Sequence, residues 1–86
     1  MGMSATLFEK ISIKNGMVNE SNFDDYRIAL LRETPEININ IIPSNDDPTG
    51  SGEPASSPIM PAITNAIFAA TGKRIRKLPI LKQKLI

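Results

Sequence analysis

Ile11-Ser12-Ile13-Lys14 alternates apolar and polar side chains, Asn15-Gly16 follows, and Met17-Val18-Asn19-Glu20 resumes the run. Asn-Gly tolerates positive φ at both central positions of a type I′ turn, so the pattern predicts a hairpin over about residues 10–20. That turn sets Lys14 opposite Met17 and Ile13 opposite Val18, with Ile11, Ile13 and Val18 on one face. A second period-two run, Glu36-Ile37-Asn38-Ile39-Asn40-Ile41-Ile42-Pro43, puts Ile37, Ile39 and Ile41 on one face and Asn38 and Asn40 on the other. It predicts a strand over about residues 36–42 that Pro43 ends. A flat Ile/Asn strand with no charge inside it is an aggregation hazard when exposed, so it is expected to be covered or paired.

Helical spacing appears further on. Ile59, Met60, Ile63, Ile67 and Ala70 form an apolar stripe flanked by Phe68. Ser57 suits the N-cap, Pro58 the first helical position and Pro61 the first turn. Gly72 suits the residue just past the helix end, and the cations Lys73, Arg74, Arg76 and Lys77 suit its negative pole. The pattern therefore predicts a helix over about residues 58–71. Residues 4–10 read as the last turns of another helix, with Ser4 able to cap it. Ile28–Leu31 fits a short helix or a strand, and periodicity leaves that open. Pro35 biases Thr34 to an extended backbone. Residues 44–57, rich in Pro, Gly, Ser and Asp, read as a long loop, and Pro79 interrupts the apolar tail that runs from Leu78 to Ile86. The expected fold is α+β: a single small domain over residues 1–86, with the hairpin and the 36–42 strand in one sheet and the 58–71 helix packed on it.

Composition narrows the chemistry. The chain has 86 residues, 41% of them hydrophobic and 22% charged, which is globular usage and argues against wholesale disorder. A net charge of +1 points to neither nucleic acid nor an anionic membrane as partner. The chain contains no Cys, so it has no disulfide framework, thiol nucleophile or zinc knuckle. It contains no His, which removes the usual general base and the commonest transition-metal ligand. No apolar run is long enough to span a bilayer, and no secretory signal is read at the N-terminus, so a cytoplasmic location is expected, export with a partner aside.

The stretch with most chemical content is Thr49-Gly50-Ser51-Gly52-Glu53-Pro54. Glycines at 50 and 52 let the backbone take unusual angles and approach a ligand closely. A carboxylate fixed there, on a loop leading into a helix, can act as a general base. From composition alone, a flexible polar loop with a solvated Glu is the simpler account. It is not a phosphate loop, because no Gly-Lys-Ser/Thr follows the glycines. Asp24-Asp25 and Asp46-Asp47 lack the spacing of a calcium loop and read as solvated turn residues.

Several runs in order carry a resemblance to a known family: Ser21-Asn22-Phe23-Asp24-Asp25-Tyr26, Pro35-Glu36-Ile37, Ile42-Pro43-Ser44, Gly50-Ser51-Gly52-Glu53-Pro54, Pro58, Pro61-Ala62-Ile63, Asn65-Ala66-Ile67 and Thr71-Gly72-Lys73-Arg74-Ile75-Arg76. From about Met3 to Ile80 the chain resembles the C-terminal part of the molybdopterin-binding large subunit of the molybdenum hydroxylases, the xanthine dehydrogenase and aldehyde oxidase family, nearest to the isoquinoline oxidoreductase type. The resemblance implies that Glu53 is the base that deprotonates a hydroxyl on molybdenum during hydroxylation of an aldehyde or N-heterocycle carbon. It implies that Gly50, Ser51 and Gly52 lie close to the molybdopterin, with no metal ligand in this chain. Ser51 stands where the family commonly has a small apolar residue, and Ala55 where it commonly has Gly, a position that strains Ala if it requires positive φ. The segments that hold the cofactor in the family lie upstream, so the chain alone is expected to bind no molybdopterin and to show no turnover. Its expected partner is the remainder of such a large chain. The alternative is a non-catalytic α+β module that binds a partner or associates with itself through the strand edge or the apolar stripe.

Overall fold

A computed structural model describes residues 1–82. Helix α1 spans Gly2–Leu7, strands β1 and β2 span Ile13–Lys14 and Met17–Val18, a 3-10 turn spans Leu31–Glu33, helix α2 spans Ser56–Thr71, and a second 3-10 turn spans Ile80–Lys82. The class is α+β, with a two-stranded antiparallel sheet beside helices.

The hairpin forms in the register that Asn-Gly dictates. Ile13 pairs with Val18 and Lys14 with Met17. Asn15 and Gly16 take φ of 51° and 76°, the two left-handed positions of a type I′ turn. The ladder continues as Asn19 N–H donates to the Ser12 carbonyl at 2.9 Å. The Glu20 carboxylate closes the open end, accepting from Ser12 N–H and from the Ser12 hydroxyl, both at 2.7 Å. Those two donors, the backbone one first, hold the Glu20 carboxyl below its ordinary value.

The core lies where α1, α2 and the Ile80 turn meet. Phe8 and Ile80 are its buried hydrophobics, and Ser4 and Thr6 are buried with them. Both hydroxyls are satisfied: Thr6 donates to the Gly2 carbonyl at 2.7 Å, and Ser4 Oγ accepts Ala29 N–H at 2.8 Å. Ser4 is therefore not a cap. It sits inside α1 and ties residue 29 to that helix. Gly2 lies against α2, where an added Cβ would meet Ile59 Cγ2 and stand 2.9 Å from the Ser56 carbonyl oxygen.

Helix α2 begins two residues before the predicted start, and its N-cap is Ala55, with no side-chain cap. Pro61 consequently sits in the second turn, where it has no N–H to offer the Ser57 carbonyl. The helix ends as predicted: Gly72 takes φ 71° and returns its N–H to the Phe68 carbonyl at 2.7 Å. The half-buried residues Ile59, Met60, Ile63, Thr64, Ile67 and Phe68 mark one face; Ala70 is exposed. Arg74 lies over the Phe68 ring, 3.5 Å from its centroid.

Two expectations are corrected. Residues 36–42 form no strand: among the described residues none of their backbone groups enters a ladder, and Ile37, Ile39, Ile41 and Ile42 are exposed. A strand exists only through hydrogen bonds to a neighbouring strand, and no neighbour lies within the described residues. Nor does α2 pack on the sheet. Its apolar face meets α1, because a hairpin two residues wide has no face broad enough to receive a 16-residue helix. The 28–31 stretch, left open by its pattern, is irregular up to the 3-10 turn, and Thr34 is extended with φ −67° and ψ 127°. The apolar tail beyond Lys82 lies outside the described residues.

Candidate functional site

Gly50, Ser51, Gly52 and Glu53 all lie on the exposed loop that enters α2. Gly50, Gly52, Glu53, Pro54 and Ser57 line one concavity of about 530 Å³, so the structure brings the candidate carboxylate and both glycines together. Ser51 is on the same loop but is not among the lining residues. The loop is anchored at its helical end, where Ser56 N–H donates to the Glu53 carbonyl at 2.9 Å. That bond fixes the Glu53 backbone one turn before the helix and leaves its side chain unengaged: among the described residues, no hydrogen bond or ion pair reaches the Glu53 carboxylate.

The glycines differ from expectation in an informative way. Among the described residues, positive φ occurs at Asn15, Gly16 and Gly72, and neither Gly50 nor Gly52 is among them. A Cβ added at either one would meet nothing within 4 Å. Backbone geometry and packing within this chain thus give no reason for glycine at 50 or 52. Ala55 takes a right-handed helical conformation, φ −79° and ψ −18°, so alanine there carries no strain.

No group of three or more His, Cys, Asp or Glu side chains among the described residues is placed to hold a metal ion. The Asp25 carboxylate is taken up by Ser21 N–H at 2.9 Å and Asn22 N–H at 3.0 Å, which hold its carboxyl below the ordinary value. Sequence reasoning did not single out a second concavity of about 320 Å³, lined by Ile11, Val18, Glu20, Ser21, Asn22, Phe23 and Tyr26. Its sequence signal is the shared face of Ile11 and Val18. Beside it, Tyr26 donates to Glu9 at 2.9 Å, and that bond to a carboxylate raises the phenol above its ordinary value. No helix of the described residues is long and apolar enough to cross a membrane.

No family model matches the chain. Individual relatives do. It is 43% identical over 79 residues to the membrane-bound aldehyde dehydrogenase of Gluconacetobacter polyoxogenes, whose name carries pyrroloquinoline quinone, covering 92% of this chain and 10% of that one. It is 40% identical over 83 residues to one of the subunits of the nicotinate dehydrogenase of Pseudomonas putida, covering 95% of this chain and 7% of that one. It is 32% identical over 92 residues to the xanthine dehydrogenase molybdenum-binding subunit of Escherichia coli O157:H7, covering 99% of this chain and 12% of that one. The chain therefore spans roughly a tenth of the length of the curated relatives it matches. The relatives matched along nearly the whole chain are subunits of the xanthine, aldehyde and isoquinoline dehydrogenase family, and the chain is similar to one segment of them.

Proposed function

We propose that this chain is the segment of a molybdenum hydroxylase large subunit that presents the proton-accepting carboxylate, Glu53, and that it works joined to the remainder of that large chain. The observation that carries this is the similarity over 92% to 99% of the chain to proteins roughly ten times its length. The chain's dimensions support it. Its accessible surface is 7635 Å², against about 5,000 Å² for a folded monomer of its mass. Its radius of gyration is 16.5 Å, against about 12 Å for a compact chain of 86 residues. The excess of about 2,600 Å² is of the order that one partner buries in a large obligate interface.

The chain's own residues fit part of a molybdopterin site. Among the described residues no cluster of three or more ligand-type side chains forms, so the metal is left to other segments. This chain does supply a carboxylate between a glycine and a proline, bordering a concavity, with open space beside both glycine Cα atoms. A bulky cofactor held by other segments can approach such a backbone closely. When bound, the cofactor supplies the metal that activates water and takes up the electron pair of the oxidation. The role left to this chain is the proton. Glu53 Oε accepts it from the oxygen that attacks an electron-poor carbon, in an aldehyde or beside a ring nitrogen. The Ser56 N–H bond to the Glu53 carbonyl fixes the backbone from which that side chain reaches. On this proposal the isolated chain neither binds molybdopterin nor turns over substrate.

The test is Glu53→Gln in the assembled enzyme, read as turnover and molybdenum content together. Turnover is expected to fall about 10²- to 10⁴-fold, with molybdenum retained. Unchanged turnover would overturn the role of Glu53.

A further inference from the structure

We infer that residues 36–42 are an edge strand whose partner is a sheet in the remainder of the large subunit, and that completing this sheet is how the chain joins it. The inference rests on the proposal above and adds the docking element. Three observations carry it. Ile37, Ile39 and Ile41 alternate with Asn38 and Asn40, the pattern of a strand with one buried face. Their side chains are 66%, 78% and 89% exposed, so that face is not buried within this chain. No backbone hydrogen bond joins residues 36–43 to any other described residue. Unpaired N–H and C=O groups along such a run are the surface that strand addition uses.

Pro35 and Pro43 bracket the segment and confine its ladder to the residues between them. Seven residues at strand rise span about 23 Å, a full-length edge in an ordinary sheet. The occupant follows from scale. The chain exposes far more surface than a self-sufficient unit of its mass, and relatives that contain its match are roughly ten times longer. Pairing there also places the Glu53 loop, which begins immediately after Pro43 and ends at α2. One end of the loop is then held by a sheet of the remainder and the other by the α1–α2 corner.

The experiment compares hydrogen–deuterium exchange at the amides of residues 37–42 in two preparations. One is the free 86-residue chain. The other is the chain purified from its source cells with whatever molybdenum hydroxylase large-subunit sequence accompanies it, identified by mass spectrometry. The expected result is at least a hundredfold slowing in the assembly at alternate amides of 37–42, the strand signature (about 2.7 kcal/mol). Ile39→Pro and Asn40→Pro alter adjacent positions of which one N–H faces the partner, so one of the two is expected to weaken association at least about tenfold; Ile39→Val is expected to leave it within about threefold. None of these changes touches the α1–α2 corner, so helical circular dichroism serves as the folding control. Association with large-subunit sequence but no protection at 37–42 overturns the strand while leaving the proposed function standing. Association of the chain only with itself overturns both.

Discussion

Two halves of this chain treat their apolar residues in opposite ways. At the α1–α2 corner, Phe8 and Ile80 are buried, Gly2 lies against Ile59 and Ser56, and the buried hydroxyls of Ser4 and Thr6 are bonded. From Glu36 to Pro54, four isoleucines face outward and no backbone–backbone hydrogen bond forms until Glu53 meets Ser56. The first region is packed by its own sequence neighbours and by the returning tail. The second has the composition of a buried strand and a ligand-facing loop with nothing in the described chain to bury them. The contrast teaches that the candidate site lies on the side of the molecule whose apolar residues the described chain leaves uncovered. Its glycines, unexplained by φ or by neighbours within the chain, follow the same logic.

The contrast can be broken or sharpened by substitution. After Glu53→Gln, the largest effect is expected at Ile80, which is fully buried. Ile80→Ala should cost about 2–5 kcal/mol and abolish the helical circular dichroism of the free chain, whereas Ile39→Ala should shift its unfolding by no more than about 0.5 kcal/mol. Equal effects at the two positions would erase the distinction between the regions. Gly2→Ala forces a Cβ against Ile59 and the Ser56 carbonyl and should lower the stability of the corner by about 1–3 kcal/mol in thermal unfolding. Gly52→Ala, with open space around its Cβ, should leave the free chain unchanged and reveal itself only in the assembled enzyme.

The smallest effect concerns the hairpin clip. The Ser12 backbone N–H and hydroxyl lower the Glu20 carboxyl below 4.5 in the folded chain. A lowered folded value means the clip contributes above about pH 4.5 and is lost as pH falls through the lowered value. The Ser12 amide proton should therefore titrate with a midpoint under 4.5 in nuclear magnetic resonance, and Glu20→Gln should abolish that titration. A midpoint at or above 4.5 would mean that the clip does not form.

How far the sequence was legible follows the range of the interactions. The hairpin register was readable because Asn15-Gly16 fixes it locally, and the end of α2 because Gly72 alone supplies the left-handed residue. Helix α2 starts two residues before the point that Ser57, Pro58 and Pro61 together predict, because Pro58 is tolerated as the third helical residue, where its missing N–H costs no intrahelical bond, and Pro61 is accepted in the second turn. The Ser4 bond to Ala29 was invisible, since it joins residues 25 apart with no motif between them. The 36–42 pattern names a face but not a partner, so periodicity predicted a strand that this chain cannot pair by itself. For the site, residue chemistry alone favoured a solvated loop over a base at Glu53. The resemblance is what shifts the balance toward a base there, and the structure adds that Gly50, Gly52 and Glu53 share one concavity.

The central claim is that this chain functions as part of a larger subunit, and its native size in the source cells tests it most directly. A non-denaturing gel probed with an antibody against residues 58–72 should show signal only at the mass of a molybdenum-containing large-subunit assembly. A discrete species near 9.4 kDa with no molybdenum would contradict it.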